Sequence, residues 1–467
     1  MKKFSLVLIG VLSMNLLAAQ TVTEKLKQAI KVMESDNQFR HAIIGFYVID
    51  ALSGKTVYAL NEQKGFAPAS TLKVVTAAAA YELLGKDFTY TTSLYAAQPD
   101  ASGMVSGDLW LQVSGDPTLG SWRWPSTSEK QVYSDWSAVL ESKGIRGFAE
   151  NASIRIVAPG FGSQAFPDGW IWQDIGNYYG ARHAALNWRE NQFDIHFTPG
   201  RAVKDPVLVS RLNPVYTGIT INPAELRTGP AGSGDQAYVY LDPEADNSML
   251  VAGTVPLAEP GFSISAAHPK PLRFFSEYLQ HSGKSGFRFP AVMGAATLSS
   301  GPAANSELLY THQSPPLDTI VWWFLRKSIN LYGEALLKSI SLQTTDEQKE
   351  GVAVVKDLFG KAGIAEAALN IVDGSGLSPQ NRITPAALVG VLKYARSRPW
   401  YASFYHAMPL INGMKMKSGS INGARAYAGY HKSGSGQEYI YAIVVNNYSG
   451  SASMVTRKLF TVLNALK

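Results

Sequence analysis

Residues 68–85 read PASTLKVVTAAAAYELLG. The second half of this stretch predicts a helix, because it is rich in alanine, carries apolar residues on nearly every face and stops at Gly85. Pro68 is tolerated only at or before the first turn of a helix, so Ser70 falls at the helix N-terminus. Three residues advance about 300° around a helix and rise about 4.5 Å, which brings Lys73 back over Ser70.

Ser70 and Lys73 form a Ser-x-x-Lys motif with two interpretations. A hydroxyl at the positive end of a helix, with an amine one turn away, is what an activated serine nucleophile requires. In the structural interpretation Ser70 is simply an N-cap and Lys73 is a solvated lysine. The helix that follows has little polar face to carry a solvated lysine, and this favours the catalytic interpretation.

The composition limits what else the chain can do. At 467 residues it is long enough for two or three domains, and 46% apolar with 17% charged residues is typical of a folded protein. The net charge of +6 comes from scattered lysines and arginines, which suits a polyanionic environment such as a cell wall and gives only weak support for nucleic-acid binding. The absence of cysteine excludes disulfides and thiol nucleophiles, and no His-Glu-x-x-His occurs, so we expect no metal, no cofactor and no nucleic-acid partner.

Residues 1–19 have the pattern of a secretory signal peptide. Met1-Lys2-Lys3 is a basic start, Phe4 to Leu17 is an apolar run too short to span a bilayer, and small residues precede Gln20. No other run reaches transmembrane length. We therefore expect a mature protein that begins at Gln20, lies outside the cytoplasm and has at most a peripheral association with the membrane.

The remaining chain shows two different secondary-structure patterns. Residues 91–300 predict short strands and turns with no long amphipathic helix, and we interpret them as an inserted β-rich region. Helices are predicted after this region at Leu317 to Lys327, Leu331 to Ile340 and Gln348 to Ala362. A meander of three strands follows, at Met414 to Ile421, Ala424 to His431 and Glu438 to Asn446. The predicted organisation is one domain formed by 20–90 and 301–467, interrupted by 91–300.

Two further motifs complete a possible catalytic set, beginning with Ser328-Ile329-Asn330. In this set Ser70 attacks a carbonyl and a neutral Lys73 takes its proton. Ser328 can pass that proton to the leaving group, while Asn330 can orient Lys73 and hold a substrate amide. Taken alone, Ser-x-Asn is more often a turn than a catalytic motif.

Lys417-Ser418-Gly419, on a predicted strand, is the third motif. Lys417 can pair with a substrate carboxylate that Ser418 also binds, and the small Gly419 lets a substrate backbone lie against the strand edge. The backbone N–H groups of Ser70 and Ser420 are candidates for an oxyanion hole. The order of the three motifs and their setting favour a functional interpretation of all of them.

With these motifs the sequence resembles the serine D-Ala-D-Ala carboxypeptidase/endopeptidases, the class C low-molecular-mass penicillin-binding proteins. The usual Lys-Thr-Gly of that family is Lys-Ser-Gly here, which keeps the hydroxyl. The resemblance extends over nearly the whole mature chain through further matching stretches: Ser114-Gly115-Asp116-Pro117-Thr118-Leu119, Gly169-Trp170, Asn177-Tyr178-Tyr179-Gly180-Ala181, Ala185-Leu186-Asn187, Ser314-Pro315-Pro316-Leu317 and Asp373-Gly374-Ser375-Gly376-Leu377-Ser378.

The resemblance implies an α+β fold: a serine β-lactamase/transpeptidase-like domain, an antiparallel sheet flanked by helices, interrupted by the insertion. It implies a periplasmic enzyme that cleaves D-Ala-D-Ala in peptidoglycan stem peptides through an acyl-enzyme on Ser70 and binds β-lactams covalently. Cleavage of peptide cross-links as a second activity stays open, and so does the oligomeric state. Asp373 and Glu334 are interpreted as structural.

Two alternatives are weighed against this enzyme. A β-lactamase-like hydrolase shares the fold and the nucleophile, but the separation of 258 positions from Ser70 to Ser328 disfavours it. A catalytically silent wall-binding scaffold is disfavoured because all the motif residues are intact. No Gly-x-Ser-x-Gly occurs, which excludes an α/β-hydrolase.

Overall fold

The structure is a computed structural model that describes residues 21–161, 166–216, 218–283, 286–292, 301–344 and 350–467. The predicted signal peptide, 1–19, and the first two residues of the helix predicted from Gln348 lie outside the described residues. The helices of the described part, α1 to α11 in chain order, are Val22–Glu34, Lys73–Leu83, Glu129–Ser142, Trp172–Ile175, Pro271–Ser282, Leu317–Lys327, Asn330–Leu342, Gly351–Lys361, Pro385–Arg396, Tyr401–Ala407 and Ala452–Leu463.

The strands fall into several sheets. Those of the described part, β1 to β21, are Ile43–Asp50, Thr56–Leu60, Thr91–Ala96, Met104–Val105, Leu109–Val113, Gly147–Phe148, Ser153–Val157, Gln192–Thr198, Leu208–Asn213, Thr220–Gly229, Gln236–Leu241, Ser248–Pro256, Ser263–Ala267, Ala291–Val292, Glu307–Gln313, Leu369–Asn370, Arg382–Ile383, Leu410–Ile411, Met414–Ile421, Ala424–Lys432 and Glu438–Asn446.

The largest sheet joins the two ends of the chain. Its six antiparallel strands run in the order β18-β19-β20-β21-β1-β2. Side chains alternate between its faces, so along β21 Ile440, Ala442 and Val444 pack toward α2, α6, α7 and α9. Tyr441 and Ile443 pack on the other face against α1 and α11. This sheet, covered by helices on both faces, has the predicted form of an antiparallel sheet flanked by helices.

Helix α2 is the central helix of the first core, and its sequence explains why. Every residue from Lys73 to Tyr81 is buried, as expected for a helix that is apolar on all sides. The predicted stop at Gly85 is confirmed, with φ at +83°. The helix opens differently from the prediction, because Ala69–Leu72 forms a 3-10 turn that carries Ser70 before the α-helix begins at Lys73.

Residues 91–313 form a separate arrangement of sheets around their own core. A five-stranded sheet runs β14-β7-β5-β3-β15, and two three-stranded sheets run β10-β12-β11 and β13-β8-β9. The expectation that this region lacks a long helix was wrong. Helix α3 packs Val132, Trp136 and Leu140 into the core at four-residue spacing, and α5 contributes Phe274 and Leu279.

The predicted domain division stays a prediction, although one strand pairing bears on its second boundary. Strand Glu307–Gln313 pairs antiparallel with Thr91–Ala96 in the five-stranded sheet. This sheet therefore continues past residue 300, and the pairing favours residue 314 over 301 as the start of the last segment.

Candidate active site

The turn that carries Ser70 is held in an unusual backbone conformation. Ala69 has φ at +46°, a left-handed conformation that costs an L-residue roughly 1–2 kcal/mol. Neighbouring contacts hold the turn, since the Thr71 hydroxyl donates to Pro68 O at 2.6 Å and Asn446 bonds both backbone groups of Ala67. The Ser70 N–H has no backbone acceptor among the described residues, which leaves it free to act in an oxyanion hole.

The Lys73 amine lies at the centre of three hydrogen bonds. Lys73 Nζ is 2.9 Å from Ser70 Oγ, so the predicted pairing of the motif residues is present. It also donates to Asn330 Oδ1 and to the backbone carbonyl of Ser375, each at 2.6 Å. The side chain is fully buried, so the interpretation of Lys73 as a solvated residue was wrong.

The environment of Lys73 disfavours its charged form. Burial lowers its pKa well below the usual value, and the charge of Lys417 lowers it further. The carboxylates of Asp373 and Glu334 act in the opposite direction, but the net pKa shift is downward. A buried lysine with a lowered pKa is what a general base working near neutral pH needs.

Asn330 connects the amine of Lys73 to the insertion. Its Oδ1 accepts from Lys73, and its Nδ2 donates to the carbonyl of Tyr179 at 2.7 Å. These two bonds fix which way the amide points, so Oδ1 cannot turn away from the amine. One N–H of the amide is left for a substrate carbonyl.

The loop that supplies Ser375 O is built around Asp373. The Asp373 carboxylate accepts from the N–H groups of Gly376 and Ser378, and from Asn381 Nδ2 and Trp170 Nε1. It makes no hydrogen bond to Lys73 in the described part of the chain. These contacts agree with the structural interpretation of Asp373.

Glu334 holds the same loop from helix α7. Its Oε2 accepts from Gly374 N at 3.0 Å, while Oε1 is buried without a partner among the described residues. Burial raises the pKa of Glu334, and the nearby charge of Asp373 raises it further. Glu334 therefore holds the loop whose Ser375 carbonyl accepts from Lys73, which agrees with its structural interpretation.

Lys417 is buried beside this cluster. Its Nζ donates to the carbonyl of Ser418 at 2.8 Å, and burial lowers its pKa to about 7. Strand β18 pairs only with the beginning of β19, at Met414 and Lys415, so the stretch from Lys417 onward forms an edge of the sheet beside the Ser70 turn. An edge of this kind is where an extended peptide can pair.

Gly419 marks the place where strand β19 meets the Ser70 turn. A Cβ atom at position 419 would lie 2.5 Å from Pro68 O and 3.1 Å from Ser70 N. The absence of a side chain at position 419 is therefore required by the protein's own Ser70 turn, and the predicted role of Gly419 toward a substrate backbone stays a prediction. The same contact brings the neighbouring Ser420 close to the Ser70 turn, as an oxyanion hole made by both residues requires.

Within the described residues, no hydrogen bond connects Ser328 to the other predicted site residues. It ends helix α6 in a left-handed conformation with φ at +58° and is half-buried. Within the described ranges its hydroxyl makes no hydrogen bond to Ser70 or Lys73. Its predicted role in moving a proton stays a prediction.

The insertion contributes a buried ionic contact to helix α7 that the sequence reasoning missed. Glu190 accepts from Tyr332 Oη at 2.7 Å and from Arg123 Nε at the same distance, and Ser121 Oγ donates to it at 2.8 Å. The Glu190 carboxylate is wholly buried. Because Tyr332 follows Asn330 by two residues, this contact holds the start of α7, where Asn330 lies.

No group of three or more histidine, cysteine, aspartate or glutamate side chains among the described residues could hold a metal ion. No described helix is both long and apolar enough to cross a membrane.

A family model described as D-Ala-D-Ala carboxypeptidase 3 (S13) matches residues 26–465 of this chain. The chain belongs to the S13 family. It is 28% identical over 501 aligned residues to a D-alanyl-D-alanine carboxypeptidase of Actinomadura sp. strain R39. The alignment covers 98% of this chain and 89% of that protein. It is 25% identical to the D-alanyl-D-alanine carboxypeptidase DacB of Haemophilus influenzae, over 87% of this chain and 86% of that one.

Solved structures support the fold of this S13 chain. Penicillin binding protein 4 from Haemophilus influenzae superposes with a TM-score of 0.75 at 21% identity, over 96% of this chain and 100% of that one. The same protein complexed with a β-lactam gives a TM-score of 0.70 at 20% identity, over 95% and 98%.

The predicted family and α+β fold class are therefore confirmed. So is the enzyme class, a serine-type D-Ala-D-Ala peptidase, and the silent scaffold is set aside. The roles of the individual residues stay predictions.

Proposed function

We propose that this S13 peptidase removes the C-terminal D-alanine of peptidoglycan stem peptides, with Ser70 as nucleophile and Lys73 as general base. The observation that carries the proposal is the set of three contacts at Lys73 Nζ. A neutral amine has two N–H groups and one lone pair. Asn330 Oδ1 and Ser375 O can only accept, so they take both N–H groups, and the lone pair is left facing the Ser70 hydroxyl.

In the acylation step, Ser70 Oγ bonds to the carbonyl carbon of the penultimate D-alanine and its proton passes to Lys73. The N–H groups of Ser70 and Ser420 stabilise the oxyanion. The carbon–nitrogen bond then breaks, and the proton from Lys73 reaches the departing amine through Ser328 or directly. D-Alanine leaves, and an ester on Ser70 remains.

In the second step a water molecule attacks this ester. Lys73, neutral again, takes a proton from the water, and the Ser70 oxygen regains a proton as it leaves. The products are the shortened peptide with a new carboxylate and the free enzyme. No cofactor takes part in either step.

Substrate selection rests on the third motif. We assign Lys417 and Ser418 to the terminal carboxylate, because a buried lysine at a sheet edge provides a charge with few competing partners. Asn330 offers its free N–H to the substrate amide. A second activity on peptide cross-links needs the same attack and differs only in the leaving amine.

A β-lactam fits the same mechanism as a covalent inhibitor. Attack by Ser70 opens the ring, but the leaving nitrogen stays tethered to the acyl group and still occupies the path that water needs. The complex of the Haemophilus influenzae protein with a β-lactam supports this part of the proposal. The enzyme is proposed to act in the periplasm, exported by the signal peptide at 1–19 and at most peripherally associated with the membrane, without a nucleic-acid partner.

The test uses the purified full-length mature chain, a fluorescent penicillin and a peptide ending in D-Ala-D-Ala. We expect label at Ser70 and release of D-alanine, and Ser70→Ala abolishes both while the protein stays folded. Ser435→Ala, in an exposed turn, is the matched control and keeps both activities. Peptide mass spectrometry that places the label on another residue would overturn the assignment.

A further inference from the structure

A second site of positive charge lies in the insertion, at the start of helix α5. A cavity of about 310 Å³ is lined by Arg182, Lys270, Arg273 and Ser276 together with the apolar Pro271, Leu272 and Val292. Three of the seven lining residues are cationic. Neither the catalytic motifs nor the contacts that hold them use any of these residues.

The cationic groups have few acceptors of their own. Lys270 Nζ and Arg273 share the single oxygen of Asn247, at 3.2 and 2.9 Å. Arg273 also pairs with Glu277 at 3.2 Å, the one carboxylate bonded to these cations in the described part of the chain. Two of the three charges are therefore without a compensating carboxylate.

Arg182 is the least compensated of the three. Its backbone carbonyl accepts from Asn191, which fixes the loop, but its guanidinium makes no hydrogen bond or ion pair with any described residue. Burial lowers its pKa, as expected for a guanidinium removed from water without a partner. An anion should bind strongly to such a guanidinium. The free-energy cost of desolvating the guanidinium has already been met on folding, so anion binding does not add it again.

Neutral donors face the same cavity. Pro271 is the first residue of α5, and the N–H groups of Leu272 and Arg273 have no acceptor among the described residues. Ser276 Oγ accepts from Val292 N at 3.2 Å, so its hydroxyl hydrogen is free to donate. The free polar groups around the cavity are thus donors, which matches an oxyanion.

We propose that this cavity binds an oxyanion group, a phosphate or a carboxylate, carried by the cell-wall polymer on which the enzyme acts. Arg182 follows Tyr179 by three residues, so their Cα atoms are at most about 11 Å apart. Tyr179 O accepts from the catalytic Asn330. One polymer can therefore contact both sites. The assignment to the wall polymer rests on the proposed function, whereas anion binding does not.

Anion binding is tested by calorimetry on the full-length chain, with inorganic phosphate and succinate as probes at constant ionic strength. We expect one saturable site for at least one probe, and Arg182→Gln and Lys270→Gln each weaken binding at least about tenfold. Arg211→Gln, an exposed cation elsewhere in the insertion, is the control and binds like wild type. No saturable site, or a site that both pocket variants leave unchanged, overturns the proposal.

The two probes distinguish the sources of the anion. Phosphate binding alone points to a phosphate-bearing polymer, and succinate binding to stem-peptide carboxylates. We expect Ser70→Ala to bind the probe like wild type, so this result does not depend on whether Ser70 is the nucleophile.

The polymer assignment is tested by turnover. We expect Arg182→Gln to lower kcat/KM on intact peptidoglycan at least about tenfold and to leave kcat/KM on a short D-Ala-D-Ala peptide unchanged. If Arg182→Gln had the wild-type kcat/KM on both substrates, the anion would not be part of the wall polymer.

Discussion

Lys73 and Lys417 are both buried, and burial lowers the pKa of each. In the proposed mechanism Lys73 must be neutral to accept the Ser70 proton, and burial with the nearby Lys417 charge favours that form. The proposed role of Lys417 instead requires its charge to hold a carboxylate, and burial opposes this by lowering its pKa to about 7. The pair therefore predicts activity in a limited pH range.

We expect deprotonation of Lys417 to limit activity on the alkaline side of that range. Below its pKa Lys417 is charged and binds the substrate carboxylate; above it Lys417 is neutral and binding weakens. We expect kcat/KM for a D-Ala-D-Ala peptide to fall as the pH rises through about 7. Arginine stays charged, so Lys417→Arg keeps its remaining kcat/KM up to pH 9.

The control for this prediction is the neutral variant Lys417→Gln, which we expect to be weak at every pH. Rates are measured between pH 5 and 10 with one peptide, after circular dichroism has shown that each variant is folded. The same alkaline decline in Lys417→Arg would show that another group is responsible for it.

At the scale of elements, the contact between Glu190 and helix α7 is the feature with the largest expected effect on stability. Glu190→Gln leaves the mostly buried Arg123 without its carboxylate and weakens the bond from Tyr332. Removing one partner of a buried ion pair costs about 3–5 kcal/mol. We expect a loss of this size in urea unfolding, together with slower acylation because α7 begins at Asn330.

Glu366→Gln is the matched control for this change. It removes the carboxylate of a pair with Lys356 in which Glu366 is 70% exposed, and pairs of that kind contribute about 0–1 kcal/mol. Equal losses in the two variants would mean that the Glu190 contact has no special role.

Strands of the six-stranded sheet were predictable where local sequence signals agreed. Met414–Ile421 and Glu438–Asn446 have the predicted bounds, because apolar runs there end at turn residues. Helices α3 and α5 were missed although both carry apolar side chains at helical spacing, since the glycine- and proline-rich sequence around them indicates turns. The Ser375 and Tyr179 contacts could not be predicted, because they use backbone carbonyls that every residue has.

The insertion contacts the residues around Lys73 at two points. Tyr179 O accepts from Asn330, and Trp170 Nε1 donates to Asp373 at 3.1 Å. In the proposed mechanism, catalysis therefore depends on residues outside the three motifs. This connection gives the insertion a positioning role in addition to any contact with substrate.

Trp170→Phe tests that role, because phenylalanine keeps a ring but lacks the N–H. A hydrogen bond to a charged, buried group contributes about 1.5–3 kcal/mol, so we expect a stability loss of that order. We also expect faster hydrogen exchange in residues 373–378 and slower acylation. Trp172→Phe changes a half-exposed ring and is the control for stability, within about 0.5 kcal/mol of wild type. Unchanged exchange in the loop would contradict this role.

The proposed role of Lys73 as a neutral base for Ser70 is tested by the acylation rate with benzylpenicillin from pH 5 to 10. In the wild type the rate at saturating benzylpenicillin, where weaker binding by neutral Lys417 does not limit it, should rise with pH through a pKa well below 10.5, since the neutral amine is the active form. Lys73→Arg keeps the charge but cannot release a proton at these pH values, so we expect a loss of about 100-fold or more. A Lys73→Arg protein that acylates at nearly the wild-type rate would show that residue 73 provides only a fixed positive charge.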